Sequence, residues 1–300
     1  MHPVQQLAIL MLISIVMAVV GLLIGMSLVL LIYDSNVLSL SFNIANATTP
    51  EVLNALKILQ MCTSVFMFLL PALVFSRYVI NLSDAYLHYR LRVQAVLWPI
   101  VLLIMFAISP MIELMVNLNG LVVFPEFLKG LEGWMRQMED QNNEATKILL
   151  QMNSVSDLLL NLLMIGVLPA IAEEFIFRGC LQTIFTRWTK NIHLGVWIAA
   201  ILFSAIHMQF FGFLPRMMLG VLFGYLLVWS GSIWPAVLAH FINNATAVLA
   251  TYFYSQKQLG FNPNDQNLFD WKGYLFSLIV TMVLLVIYRK RALNKPEPYL

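Results

Sequence analysis

The sequence predicts an all-α, multi-pass integral membrane protein, a helical bundle of about eight transmembrane helices. Composition is the first observation behind this: the 300 residues are 60% hydrophobic and 11% charged, with mean hydropathy +0.82. Ordinary globular domains are about half apolar and about a quarter charged. The second is that apolar runs of about 20 residues, long enough to cross a hydrocarbon core, recur along the chain. The third is that the charges between those runs alternate in sign as an even number of crossings requires.

The runs are, in order, Leu7–Tyr33, Leu56–Phe75, Val96–Val116, Ser156–Arg178 or beyond, Leu194–Phe211, Leu214–Trp229, Trp234–Tyr254 and Tyr274–Tyr288. The first lacks a basic leader and a small-residue cleavage site, and it is long for a signal segment, so it reads as a retained helix. The fifth and sixth, joined only around Gly212 and Pro215, read as a tight antiparallel hairpin. Basic residues gather after the second run (Arg77, Arg90 and Arg92 against Asp84) and around the end of the fourth (Arg178, Arg187, Lys190). They gather again in the tail (Arg289, Lys290, Arg291 and Lys295 against Glu297). The loop after the third run is acidic instead, with Glu126, Glu132, Glu139, Asp140 and Glu144 against Lys129, Arg136 and Lys147. Eight helices with both termini cytoplasmic put every basic segment inside and the acidic loop outside.

Within that loop Phe127, Leu131, Trp134 and Met138 fall at helical spacing, which fits an amphipathic surface helix and a solvated connector equally. The pairs Gly21/Gly25 and Gly220/Gly224 have the spacing that lets membrane helices approach closely. A net charge of +2 gives no support for nucleic-acid binding. The two cysteines, Cys62 and Cys180, lie inside apolar runs and do not indicate a disulfide scaffold.

Against this background "EEFIFR" stands out, because an ionisable group at membrane depth costs about 2.5–3.5 kcal/mol even on insertion scales and demands a partner or a wet cavity. Glu174 and Arg178 share one helix face and can pair. Glu173, turned about 100° away, cannot join them and needs partners elsewhere. The fifth run offers His207 in "FSAIH", and the seventh offers His240 and Asn244 in "HFINN". If the fourth helix continues to the interface near Trp188, the rise per residue puts Glu173 about 20 Å inside that end, at a depth like that of His207. His240 and Asn244 come about 10–15 Å from the start of their helix. All four then share one intramembrane cavity displaced toward the cytoplasmic leaflet, and Pro169 is the place for the long fourth helix to bend.

A carboxylate, two imidazoles and an amide suffice for peptide hydrolysis: a desolvated Glu can take a proton from water, and the other groups can orient it and stabilise an oxyanion. The same Glu173, His207 and His240 could instead hold zinc, although the HExxH spacing is absent. A proton-coupled transporter also uses Glu/His relays, but it would show repeated, broken helices in matching halves, and here the polar residues lie only in the second half. Glu113 reads as a polar contact near the outer end of its helix, and Arg216 as a cap at the outer start of the sixth. His2, His88 and His193 sit near interfaces and receive no role.

The motifs EExxxR (Glu173, Glu174, Arg178), FxxxH (Phe203, His207) and HxxxN (His240, Asn244) are intact and in order over about 168–250. In this the sequence resembles the CPBP family of intramembrane peptidases, which includes CAAX prenyl proteases and bacteriocin-processing relatives. Hydropathy and charge set off residues 1–150 as three N-terminal helices with an acidic outer loop, and the resemblance makes 151–300 the part with the catalytic core, followed by a last helix and basic tail. It implies Glu173 and His207 activating water, His240 and Asn244 binding the oxyanion, and Glu174, Arg178 and Phe203 in support. It also implies a membrane-associated, in some members prenylated, peptide or protein substrate. Family members have been described both as metalloproteases and as metal-free, glutamate-dependent enzymes, and the metal-free form is preferred here. The simple topology and absence of targeting signals look bacterial, which places the chain in an inner membrane surrounded by lipid. On the same fold, some bacterial relatives serve as bacteriocin-immunity or scaffolding proteins that cleave nothing.

Overall fold

The computed structural model describes residues 1–41, 49–89, 93–260, 262, 265 and 268–294. Arg90, Arg92, Lys295 and Glu297, which enter the charge reading, lie outside the described residues. Among the described residues the architecture is helical, without strands.

The long apolar helix α1 (Pro3–Ile32) is capped by His2, whose ring accepts from Val4 N–H. It packs on α2 (Pro50–Val79) along the predicted small-residue seam: a side chain at Gly21 would collide with Phe66, and one at Gly25 would meet Leu59 and Cys62. Pro71 has no N–H to give and crowds the preceding turn, and the turn before it widens into a π-helical stretch, Val65–Leu69. The third predicted run forms two helices, α3 (Leu97–Ala107) and α4 (Ser109–Gly120), bent by 41° ahead of Pro110. Then come α5 (Lys129–Leu149), α6 (Val155–Thr189), α7 (Ile192–Ala205), α8 (Phe213–Ser230), α9 (Trp234–Ser255) and α10 (Trp271–Leu293).

Six of these helices are long and apolar enough to cross a membrane, or seven if the bent α3–α4 pair is one span. The fifth predicted span, Leu194–Phe211, is corrected: α7 has only 14 residues, about 21 Å of helix. The rest of that run leaves the helix at Ile206 and turns through Met208, whose φ is +52°. α7 and α8 nevertheless run antiparallel, as predicted, with Gly220 against Ala200, Gly224 against Val196, and Ser204 Oγ donating to Phe213 O at 2.7 Å.

Apolar side chains such as Leu12, Ile15, Phe276 and Met282 project from the outer faces of α1 and α10, more than half exposed. Lipid is as apolar as they are, so this surface needs no protein cover. Two cores lie inside. One joins α1, α2 and α6 through Leu10, Phe75, Ile176 and Phe177, together with Tyr86 from the segment between α2 and α3. The other joins α3, α8, α9 and α10 through Ile104, Phe223, Leu226, Ala239 and Tyr288. Glu113 of α4 ties into α10 by accepting from Tyr274 Oη at 2.9 Å and from Phe269 N–H at 3.2 Å. The polar residues of the motifs sit where α6, α7, α8 and α9 meet.

Candidate active site

α6 runs unbroken for 35 residues, so the fourth predicted helix does continue past Arg178 to the region of Trp188. It widens into π-helical turns at Leu162–Val167, just before Pro169, and at Phe175–Leu181, just after the paired glutamates. Such turns recur where a helix must aim side chains at a site. Glu174 and Arg178 are buried and meet along one face, Nη1 to Oε1 at 3.0 Å. The terminal guanidinium nitrogens make no aligned hydrogen bond, so the contact is one of charge. The guanidinium also lies over the ring of Phe203, 4.3 Å from its centroid.

His240 joins the two carboxylates. Its Nδ1 is 2.8 Å from Glu174 Oε1, and its Nε2 is 3.9 Å from Glu173 Oε2. The ring is stacked on Phe223 and meets Phe203 edge-on. Phe203 also meets His207 edge-on, at 5.1 Å between centroids, and thus touches Arg178, His207 and His240 together. The phenylalanine of FxxxH is therefore the apolar wall that holds the polar groups in place.

His207 lies beyond the end of α7 rather than inside a helix. Its Nδ1 is 2.8 Å from Phe203 O. A carbonyl can only accept, so Nδ1 carries a proton and the neutral ring presents the lone pair of Nε2. Asn244 Nδ2 donates to Ile165 O at 2.9 Å. That carbonyl lies four residues before Pro169, which has no N–H to offer it, so the α6 proline and the α9 asparagine complement each other.

Glu173, His207, His240 and Asn244 line one cavity of about 490 Å³, which also takes in Asn243 and Arg216. Glu173 keeps 14% of its side chain exposed, whereas Glu174 keeps none. The cavity reaches Thr146 and Leu149 of α5 and Gly212 at the α7–α8 turn. It thus extends toward the end of the bundle that carries the acidic helix, not toward the basic end as depth counting suggests. Arg216 does not act as a helix cap: it lines the cavity and donates back to Gln209 Oε1. Asn243 escapes sequence reasoning although it adjoins the HxxxN asparagine, to which it donates at 3.1 Å. Phe223, apolar in an apolar helix, leaves no signal in the sequence.

The zinc alternative does not fit this donor set. Among the described residues no three His, Cys, Asp or Glu side chains gather closely enough to hold a metal ion. The Nδ1 atoms of His207 and His240 are engaged by Phe203 O and Glu174, which orients each ring and leaves its Nε2 free, so it is the spacing of the side chains and not their hydrogen bonds that speaks against a metal. What the arrangement offers is a partly accessible carboxylate, an imidazole lone pair and N–H donors around one space that can admit water.

Residues 155–246 match the family described as type II CAAX prenyl endopeptidase, Rce1-like. Over 89 residues the chain is 32% identical to the uncharacterized protein YpbD of Bacillus subtilis (strain 168), a stretch covering 28% of this chain and 42% of that protein. The chain thus spans under half the length of the curated relative it matches. No solved structure matches. The segment that holds Glu173, Phe203, His207, His240 and Asn244 is therefore the segment that matches the Rce1-like type II CAAX prenyl endopeptidases, in keeping with the CPBP resemblance.

Proposed function

We propose that the chain is an intramembrane endopeptidase that hydrolyses peptide bonds of membrane-associated, including prenylated, proteins or peptides. The observation that carries this is one cavity lined by Glu173, His207, His240 and Asn244, inside a segment that matches a peptidase family. A water held between Glu173 and His207 Nε2 attacks the scissile carbonyl carbon while its proton passes to the Glu173 carboxylate. The carbonyl oxygen becomes an oxyanion. The amide hydrogen of Asn244 not used by Ile165 donates to it, and His240, whose Nδ1–H is held by Glu174, donates from Nε2 in its doubly protonated, imidazolium form. Such donors are each worth about 3–4 kcal/mol of barrier. Glu173 returns the proton to the leaving nitrogen as the C–N bond breaks. Glu174 and Arg178 act in support: they compensate each other in the bundle interior and hold His240.

The setting is a bacterial inner membrane, with both termini cytoplasmic and α5 on the outer face. The test is a panel of membrane-embedded and prenylated peptides incubated with the purified protein, with and without a chelator. Cleavage insensitive to the chelator is expected. Activity lost to the chelator and restored by zinc would overturn the metal-free mechanism, and no cleavage of any peptide would favour an immunity or scaffolding role on this fold.

A further inference from the structure

We propose that α5 positions His207, with Asn142 and Glu139 as its positioning residues; this rests on the peptidase reading of the cavity. α7 ends at Ala205, so the backbone around His207 lacks the ladder of a continuing helix. The His207 N–H reaches Ser204 O only at 3.4 Å, and the next residue turns left-handed. Non-helical backbone at membrane depth persists only where protein or a water-filled cavity satisfies it. Here α5 supplies that satisfaction across more than 60 residues of chain. Asn142 Nδ2 lies 3.4 Å from His207 O and 3.3 Å from Met208 O, donating to both. Glu139 Oε2 accepts from Phe211 N–H at 2.7 Å. Trp134 packs on Phe210, and Arg136 lies over the Phe211 ring at 4.2 Å. Asn119 of α4 grips the same turn from the other side, donating to Phe210 O and accepting from Leu214 N–H.

Farther along α5, Thr146 and Leu149 form part of the cavity wall. One helix therefore bounds the cavity and sets the backbone from which the His207 ring projects. Misplacing a reacting group by about 1 Å costs on the order of 100-fold in rate, so a loosened turn should lower kcat. The ring's own bond to Phe203 O, four residues back, stays in register only while the turn holds.

The test compares Asn142→Asp, which removes the donor at nearly constant shape, with Glu139→Ala, Glu139→Gln and Gln141→Ala. Glu139→Gln keeps an acceptor for Phe211 N–H, and Gln141 is an exposed α5 residue that serves as a control. Two readouts are taken: peptide cleavage, and NMR of 15N-labelled histidine with His207→Gln identifying the His207 signals. Asn142→Asp and Glu139→Ala are expected to lower kcat by about 10-fold or more with KM within about 2-fold, and to blur the single Nδ1–H tautomer of His207. Glu139→Gln and Gln141→Ala should match the parent in both. Unchanged kcat and tautomer in Asn142→Asp and Glu139→Ala would overturn the inference, as would equal losses in Gln141→Ala. If the parent cleaves nothing, the peptidase reading falls, and the tautomer still decides whether α5 positions His207.

Discussion

Glu174 has no exposed side-chain surface and lies 3.0 Å from Arg178 and 2.8 Å from His240, so removing its charge strands a buried cation and frees the His240 ring. Breaking one partner of a buried pair costs about 3–5 kcal/mol, and Glu174→Ala should lose stability on that scale in detergent unfolding. Asn244→Ala should do two things: lower kcat by on the order of 100-fold, and cost about 1–3 kcal/mol by leaving Ile165 O without its donor. An effect on only one of rate and stability would show that Asn244 serves only one purpose. The asymmetry of the two glutamates is legible in the sequence, because helical geometry alone separates residues 173 and 174 and joins 174 to 178. The link from His240 to Glu174 is not, since it depends on how α9 is rotated against α6.

His88, in the segment between α2 and α3, shows a different residue-scale effect. Burial, and secondarily the charge of Arg187, hold its pKa below the usual histidine value. A lowered folded-state pKa means that the unfolded chain binds the proton more readily. The associated stability is therefore complete above about pH 6.5 and is lost as pH falls through the lowered value. Unfolding measured from pH 7.5 to 5 should show this decline, and His88→Gln should flatten it.

At the scale of elements, the α7–α8 hairpin depends on close approach. A Cβ at Gly224 would stand 2.8 Å from Gln182 Oε1 and 2.9 Å from Val196 Cγ1, so Gly224→Val should force the helices apart and cost about 1–3 kcal/mol. The same substitution at Gly133, where a Cβ would meet nothing within 4 Å, should be tolerated in thermal unfolding. The glycine spacing announces this seam in the sequence, as it does for α1 and α2. The end of α7 at Ala205 is not announced, because the apolar run continues to Phe211 and hydropathy does not register a left-handed Met208. The acidic loop is legible as a stretch with helical periodicity, but its role is not. Glu139 and Asn142 meet a turn more than 60 residues away, and no local pattern encodes that distance.

For the whole molecule, composition is enough to foretell a multi-pass helical bundle, while the number of full-length spans depends on where helices break. Six helices, or seven with the bent pair, are long enough to cross, and the proposed orientation with both termini inside further requires the short α7 to carry the chain from the far end of α6 to the start of α8. A membrane-impermeant maleimide should then label Gln141→Cys on α5 from the outer side in intact cells, and Asn294→Cys only after permeabilisation. Labelling of both from one side would contradict this sidedness.

The central claim is that Glu173, the glutamate left open to the cavity, activates the water. Its most direct measurement is single-turnover cleavage of one membrane-embedded peptide by the parent, Glu173→Gln and His207→Ala in liposomes, with folding of each verified by thermal unfolding. The account predicts that Glu173→Gln lowers the rate at least 100-fold and His207→Ala by on the order of 100-fold, with both proteins folded. Parent-like cleavage by folded Glu173→Gln would contradict it.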